Sequence, residues 1–250
     1  DKLDIAIDLM GYTENQRMNL FTHRLAPIQI NYLGYPGTTG CNQMDYIIGD
    51  KVLIPRNYQK FYTEKILYMP NCYMPFNNKT KISDKKFLRS DFNLSDSSFV
   101  LAAFHKNYKI IPQIISSWSR ILAKIPSSVI WISDMKEIAK SNLLKHFYKH
   151  GIGPEKIVFA KRMISKEDHL ARHSCADLFI DTFNYNGHST SIEALWSGLP
   201  LVTLLGESFS SRVSASLLTT LNLKELIAYD INQYEDIIIK IANDPQKLKD

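Results

Sequence analysis

At 250 residues, with 30 Lys and Arg against 25 Asp and Glu, the chain carries a formal charge of +5 and is 45% hydrophobic and 11% aromatic. That balance excludes disordered, collagen-like and coiled-coil chains, and the length allows one large or two modest domains, each able to bury a core. The basic residues fall in short clusters, such as Lys79, Lys81, Lys85 and Lys86, with no long run of like charge and no aromatic-laced stripe, so nucleic acid is not an expected partner.

Cys41, Cys72 and Cys175 are too few and too far apart for a disulfide framework or a zinc site. No apolar run approaches the ~18 residues of a membrane span, so a cytoplasmic location without a membrane span is expected. The chain opens on DKLDIAIDLMG, which reads as a buried strand in mid-flow and predicts a fragment of a longer protein.

In chain order, Ile5 to Leu9, Ile28 to Leu33 and Tyr46 to Ile48 are short apolar runs of the kind that form strands buried on both faces. Asp8, Gly11 and Tyr12 follow at the carboxyl edge of the first. The loop LGYPGTTG, residues 33–40, lets backbone approach a ligand at its glycines and offers the hydroxyls of Thr38 and Thr39. No GK[ST] follows and no GxGxxG occurs, so this is neither a P-loop nor a dinucleotide fingerprint.

Residues 76–98 are polar and aperiodic and predict a linker. It separates residues 1–75, which look like the closing half of a Rossmann-like domain, from residues 99–250, which are long enough for a complete doubly wound one. In that second block, predicted strands at Phe99 to Ala103, Val129 to Ile132, Ile157 to Phe159, Leu178 to Ile180 and Leu201 to Leu204 alternate with helices at Pro112 to Ile125 and Ser141 to His150. Alternation of this kind means α/β with a parallel sheet.

Ligands of such sheets bind outside the carboxyl ends of the strands. Lys106, Tyr108 and Lys109, directly after Phe99 to Ala103, therefore stand where anionic groups would be received. Ser165 is a natural N-cap for a helix that places Lys166, His169 and either Arg172 or His173 near one face, able to hold a base or phosphate. The richest stretch is DTFNYNGHSTSIEALWSG, residues 181–198: strand end, tight polar turn, then a helix from about Thr190 to Trp196 capped by Ser189. Free amides and the helix dipole make that turn an anion site, with Ser189 and Thr190 as donors, His188 beside the phosphates and Glu193 one turn on for a ribose. The same spacing also suits a plain cap and a solvated glutamate. With no HExxH, no GxSxG and no zinc spacing, neither a metal nor a cofactor is expected.

Taken together, DLMGYT at 8–13, RLAPIQINYLGYPGTTG with MDYIIGD behind it, NYKI, SKEDH, DTFNYNGHST and GESFSSRV closely resemble the protein O-linked N-acetylglucosamine transferases and SPINDLY-like proteins of glycosyltransferase family 41. The resemblance spans nearly the whole chain. It implies a GT-B fold of two Rossmann-like domains, the N-terminal one incomplete in this chain, and an inverting, metal-independent transfer of N-acetylglucosamine from UDP-GlcNAc to Ser or Thr hydroxyls of an acceptor protein. By the resemblance, Lys109 neutralises the leaving diphosphate with Tyr108 beside it, His188, Ser189 and Thr190 cradle the diphosphate, and Lys166 and His169 frame the uracil. Asp8 and Tyr12 are the nearby general-base possibilities.

Lys106 stands where many members carry glutamine, and Glu193 where relatives place aspartate, so GDP-fucose or UDP-glucose remain alternative donors. A non-catalytic sugar-nucleotide-binding module is the alternative from another class. The family pattern places tetratricopeptide repeats ahead of this region in the full-length protein.

Overall fold

The structure, a computed structural model, describes residues 2–244. Residues 245–250, the end of the domain expected over 99–250, lie outside the described residues. The chain divides into two compact units: the chain up to Phe76 together with Glu207–Leu223, and Asn77–Gly206 with the chain from Lys224 on.

In the first unit, β1 (Ile5–Asp8), the short helix α1 (Met18–Phe21), β2 (Ile28–Asn31), β3 (Tyr46–Gly49) and β4 (Lys65–Tyr68) follow in sequence. The four strands pair in that order, all parallel. The strand β4 is absent from the expected set because KILY opens on a lysine and has no residue fully buried, so it lacks the apolar run that marks the others.

The second unit contains β5 (Phe99–Ala103), α2 (Pro112–Lys124), β6 (Ser128–Ser133), α3 (Glu137–Lys149), β7 (Ile157–Ala160), α4 (Lys166–Ala171), β8 (Leu178–Ile180), α5 (Ser189–Trp196) and β9 (Leu201–Leu204). The chain then runs through the first unit as α6 (Val213–Thr220) and closes the second with β10 (Ile227–Ala228) and α7 (Ile231–Ala242). The sheet order is β10-β9-β8-β5-β6-β7, parallel throughout. Connections run outward from β5 through β6 and β7, then restart on its other side at β8. The carboxyl ends of β5 and β8 therefore flank the switch point at which doubly wound sheets bind ligands.

In the second unit burial follows the sequence pattern, whereas β1, expected to be buried on both faces, alternates: Ala6 and Asp8 are buried while Ile5 and Ile7 are exposed. Ile114, Ile115, Trp118, Ile121 and Leu122 pack one face of α2 onto the strands, with Tyr234 and Ile238 of α7 in the same core. Two segments are placed differently from the sequence reading. Residues 77–98 group with the second unit, where Arg89 clasps both oxygens of Asp177 at 2.8 Å and the Trp196 indole donates to the Thr80 carbonyl at 3.1 Å. Residues 207–223 group with the first, because the Ser216 hydroxyl donates to the buried Asp50 carboxylate at 2.6 Å and Arg212 Nε donates to the Val52 carbonyl at 2.8 Å. No helix among the described residues is long and apolar enough to cross a membrane.

Candidate functional site

The switch point is built around Asp181, the first residue after β8 and fully buried. Its Oδ1 accepts the backbone N–H groups of Thr182 at 2.8 Å and Gly187 at 2.7 Å, and its Oδ2 accepts the Thr203 hydroxyl at 2.7 Å. One carboxylate thus folds residues 182–187 into a closed turn and aims it at the start of α5. The Asn186 side chain, also fully buried, donates to the Thr182 carbonyl at 2.7 Å and tightens the loop further.

Gly187 is where the turn comes closest to its surroundings. A Cβ there would lie 2.5 Å from Ser191 Oγ, 2.6 Å from Thr190 Oγ1 and 3.1 Å from His105 Cε1. The helix begins one residue earlier than expected, at Ser189 with His188 as its cap, and the His188 side chain makes no capping hydrogen bond. Its ring instead stacks on Tyr185, centroids 4.9 Å apart. Ser189 is therefore the first residue of the helix and not its cap.

Across the switch point, the turn after β5 brings in Lys109. Its ammonium donates to the Asn186 carbonyl at 2.7 Å and lies 4.0 Å from the Tyr185 ring centroid. Burial pushes its pKa down to about 8, an effect that the Asp181 charge opposes and Lys106 reinforces. Tyr108 is exposed, its ring edge-on to Tyr185, and Lys106 is exposed on the same loop.

Beside the turn, α4 and α5 bring together three residues expected at the base and ribose. Glu193 lies 3.4 Å from Lys166 Nζ and 3.5 Å from His169 Nε2. Burial opposes its ionisation, but the hydrogen bond from His169 and the Lys166 charge outweigh that and hold its carboxyl below the ordinary range. Ser165 caps α4 as expected, its hydroxyl accepting the Asp168 N–H at 3.2 Å. A cleft of about 440 Å³ opens here, with Phe104, Ile164, Lys166, His169, Arg172 and Thr190 among its walls.

The choice left open between Arg172 and His173 is settled by direction. Arg172 lines the cleft with its guanidinium 4.4 Å from the Phe104 ring centroid, whereas His173 turns inward, Nδ1 on the His169 carbonyl at 2.9 Å. Burial pushes His173 down to about 4, with His169 adding to the drop.

In the first unit, the Asp8 carboxylate accepts the N–H groups of Met10 at 2.9 Å and Gly11 at 3.0 Å. The Tyr12 hydroxyl donates to the Thr39 carbonyl at 2.7 Å. The Thr38 hydroxyl donates to the buried Glu64 carboxylate at 2.6 Å, which also takes the Thr39 hydroxyl and N–H. The hydroxyls read as ligand donors in that loop are thus engaged by Glu64, a residue that sequence reading passed over because a lone glutamate before a strand looks solvated. Asp181 and His105 were also missed as organisers. The only mark of Asp181 in the sequence is an acidic residue directly after an apolar strand. Among the described residues, no group of three or more His, Cys, Asp or Glu is placed to hold a metal ion.

The family model described as Glycosyl transferase family 41 matches residues 1–84 and 77–250. A probable UDP-N-acetylglucosamine–peptide N-acetylglucosaminyltransferase of Arabidopsis thaliana, SEC, is 34% identical over 255 residues, covering 100% of this chain and 26% of the relative. The SPINDLY protein of Petunia hybrida, with the same description, is 30% identical over 254 residues, covering 99% and 27%. The chain thus spans about a quarter of the length of these relatives. Among solved structures, a mutant O-GlcNAc transferase of Thermobaculum terrenum matches with a TM-score of 0.88 and 28% identity, over 99% of this chain and 46% of that one. A mutant of S. aureus TarM, at 10% identity and a TM-score of 0.55 over 88% and 45%, shares the fold alone.

Proposed function

This chain belongs to glycosyl transferase family 41, and on that premise we propose that it is the donor-binding region of a protein O-glycosyltransferase of GT-B fold. The reaction moves N-acetylglucosamine from UDP-GlcNAc to Ser or Thr hydroxyls of an acceptor protein, with inversion and without a metal ion. The carrying observation is Lys109, whose ammonium is held on the Asn186 carbonyl at the mouth of the turn that Asp181 organises.

When the bond from the sugar to the diphosphate breaks, negative charge builds on the departing oxygen. Lys109, the amides at the start of α5 and the hydroxyls of Ser189 and Thr190 supply positive charge and donors at that place, as an oxyanion hole does. His188 flanks the diphosphate, with Tyr108 and Lys106 at the rim. Glu193 takes the ribose hydroxyls and is itself oriented by Lys166 and His169, while the cleft walled by Phe104, Ile164 and Arg172 takes the base. On the first unit, Thr38, whose hydroxyl proton is given to Glu64, is proposed to meet the sugar donor as an acceptor, and Asp8 and Tyr12 are the candidates to receive the proton of the acceptor hydroxyl. Acceptor proteins and N-terminal tetratricopeptide repeats belong to the proposal for the full-length protein.

Titration calorimetry with UDP and GDP tests the donor: UDP is expected to bind, and binding of GDP with none of UDP overturns the choice and favours a GDP-sugar donor. Glu193, longer by one carbon than the aspartate of the family pattern, makes that second arm necessary. Incubation of the full-length protein with UDP-GlcNAc and acceptor proteins tests catalysis. Binding without transfer or donor hydrolysis would identify a sugar-nucleotide-binding module.

A further inference from the structure

Below the diphosphate turn lies a histidine with no part in the mechanism just described. His105 follows β5 by two residues and its side chain is completely buried. Its Nε2 is 3.0 Å from the Ile180 carbonyl oxygen. A carbonyl only accepts, so Nε2 carries the proton and the neutral ring presents a bare lone pair at Nδ1. That Nδ1 is buried and has no hydrogen-bond partner among the described residues.

Two neighbours make the lone pair more than a packing remnant. Asp181 Oδ1 is 3.8 Å from Nε2, near enough to stabilise an imidazolium. Its Cε1, the carbon between the two ring nitrogens, is the atom that a Cβ on Gly187 would meet at 3.1 Å, so the ring packs directly against the turn. The charged groups facing the ring are Asp181 from the end of β8 and Lys109 from the turn after β5; the sheet contributes the Phe179 ring at 5.1 Å, and from α7 the Tyr234 hydroxyl holds the Asp181 carbonyl at 2.9 Å. In the free chain, burial lowers the pKa of His105 against the pull of Asp181, and Lys109 lowers it further, so the ring is neutral.

We infer that His105 is a positioning residue of the donor turn that takes up a proton at Nδ1 when a nucleoside diphosphate binds, becoming a buried cation beside Asp181 and against the turn. This rests on the donor site proposed above. The physical reason is charge balance: a diphosphate over the turn adds negative charge to a pocket that already holds the Asp181 carboxylate, and a neutral imidazole next to that carboxylate can answer it by taking up a proton. The proton comes from solvent, and none is transferred to the reacting sugar.

The test is calorimetry of UDP-GlcNAc binding in buffers of different ionisation enthalpy, between about pH 5.5 and 7.5. The diphosphate of this donor is esterified at both ends and does not itself titrate there. Wild-type protein is expected to take up a proton, with affinity weakening by up to about tenfold per pH unit as pH rises. His105→Asn, which keeps a donor for the Ile180 carbonyl but cannot titrate, is expected to bind with no uptake and a flat profile. Nitrogen-15 histidine spectra of wild-type protein read the same event without a variant, as a donor-induced change of Nδ1 from bare to protonated. Binding without proton uptake, or an Nδ1 signal unchanged by donor, overturns the inference while leaving the donor site intact. Failure of wild-type protein to bind UDP-GlcNAc at all overturns the donor reading and this inference with it.

Discussion

Lys109 holds its ammonium in a half-buried place where the free chain pays for the charge, and its pKa of about 8 is the sign of that cost. A bound diphosphate favours the charged form, so the complex keeps a proton that the free chain loses above about pH 8. Affinity for UDP-GlcNAc is then expected to fall as pH rises past that value, by up to about tenfold per unit. Lys109→Arg, which stays charged, is expected to flatten this limb in a calorimetric pH series, and a limb that persists would assign it elsewhere. Lys109→Ala should depress turnover more than donor binding, because the charge it meets is greatest in the transition state. Gly187 gives a second prediction at this scale. A methyl there must displace the Ser191 and Thr190 hydroxyls, which are short and movable, and press on the His105 ring. Gly187→Ala is expected to cost only ~1 kcal/mol of stability by thermal melting but to weaken donor binding at least tenfold, since the displaced groups line the turn.

At the scale of elements, α4 and α5 meet through one carboxylate. Glu193 on α5 is gripped by Lys166 and His169 on α4, so the two helices set each other's ligand-facing side chains. The ionised form is favoured in the folded chain, so this contact stabilises at neutral pH and is lost as pH falls through the lowered pKa. Glu193→Ala is expected to weaken UDP binding by about 10- to 100-fold, as for loss of hydrogen bonds to a charged group, while leaving inhibition by pyrophosphate within about twofold. Equal losses for both ligands would show that Glu193 serves the turn and not the ribose. The sequence made these helices readable because capping and i, i+3 spacing are local rules: Ser165 announces α4, and Lys166 and His169 share a face whatever surrounds them. The direction of the next two residues was not readable. Arg172 faces the cleft and His173 the interior, a choice made by packing against Phe104 rather than by spacing.

For the whole molecule, the apolar runs of β5 to β9 are enough to predict a parallel sheet, since strands buried on both faces need no alternation. What they could not declare was long-range: that residues 207–223 rejoin the first unit depends on Ser216 and Arg212 meeting Asp50 and Val52 more than 150 positions away. The site itself depends on an equally remote chain. Trp118 on α2 donates to the Tyr234 hydroxyl on α7 at 3.2 Å, and that hydroxyl donates to the Asp181 carbonyl at 2.9 Å, all three residues fully buried. Tyr234→Phe leaves the indole N–H and the carbonyl without this partner in a fully buried place. The expected cost is ~1–3 kcal/mol, or about 2–10 °C in the melting temperature of a chain this size. Because Asp181 also shapes the turn through its carboxylate, the variant should weaken UDP binding as well, and saturating UDP should restore part of the lost melting temperature. A Tyr234→Phe chain that melts lower yet binds UDP as tightly as wild type would show that the core and the donor turn are mechanically independent.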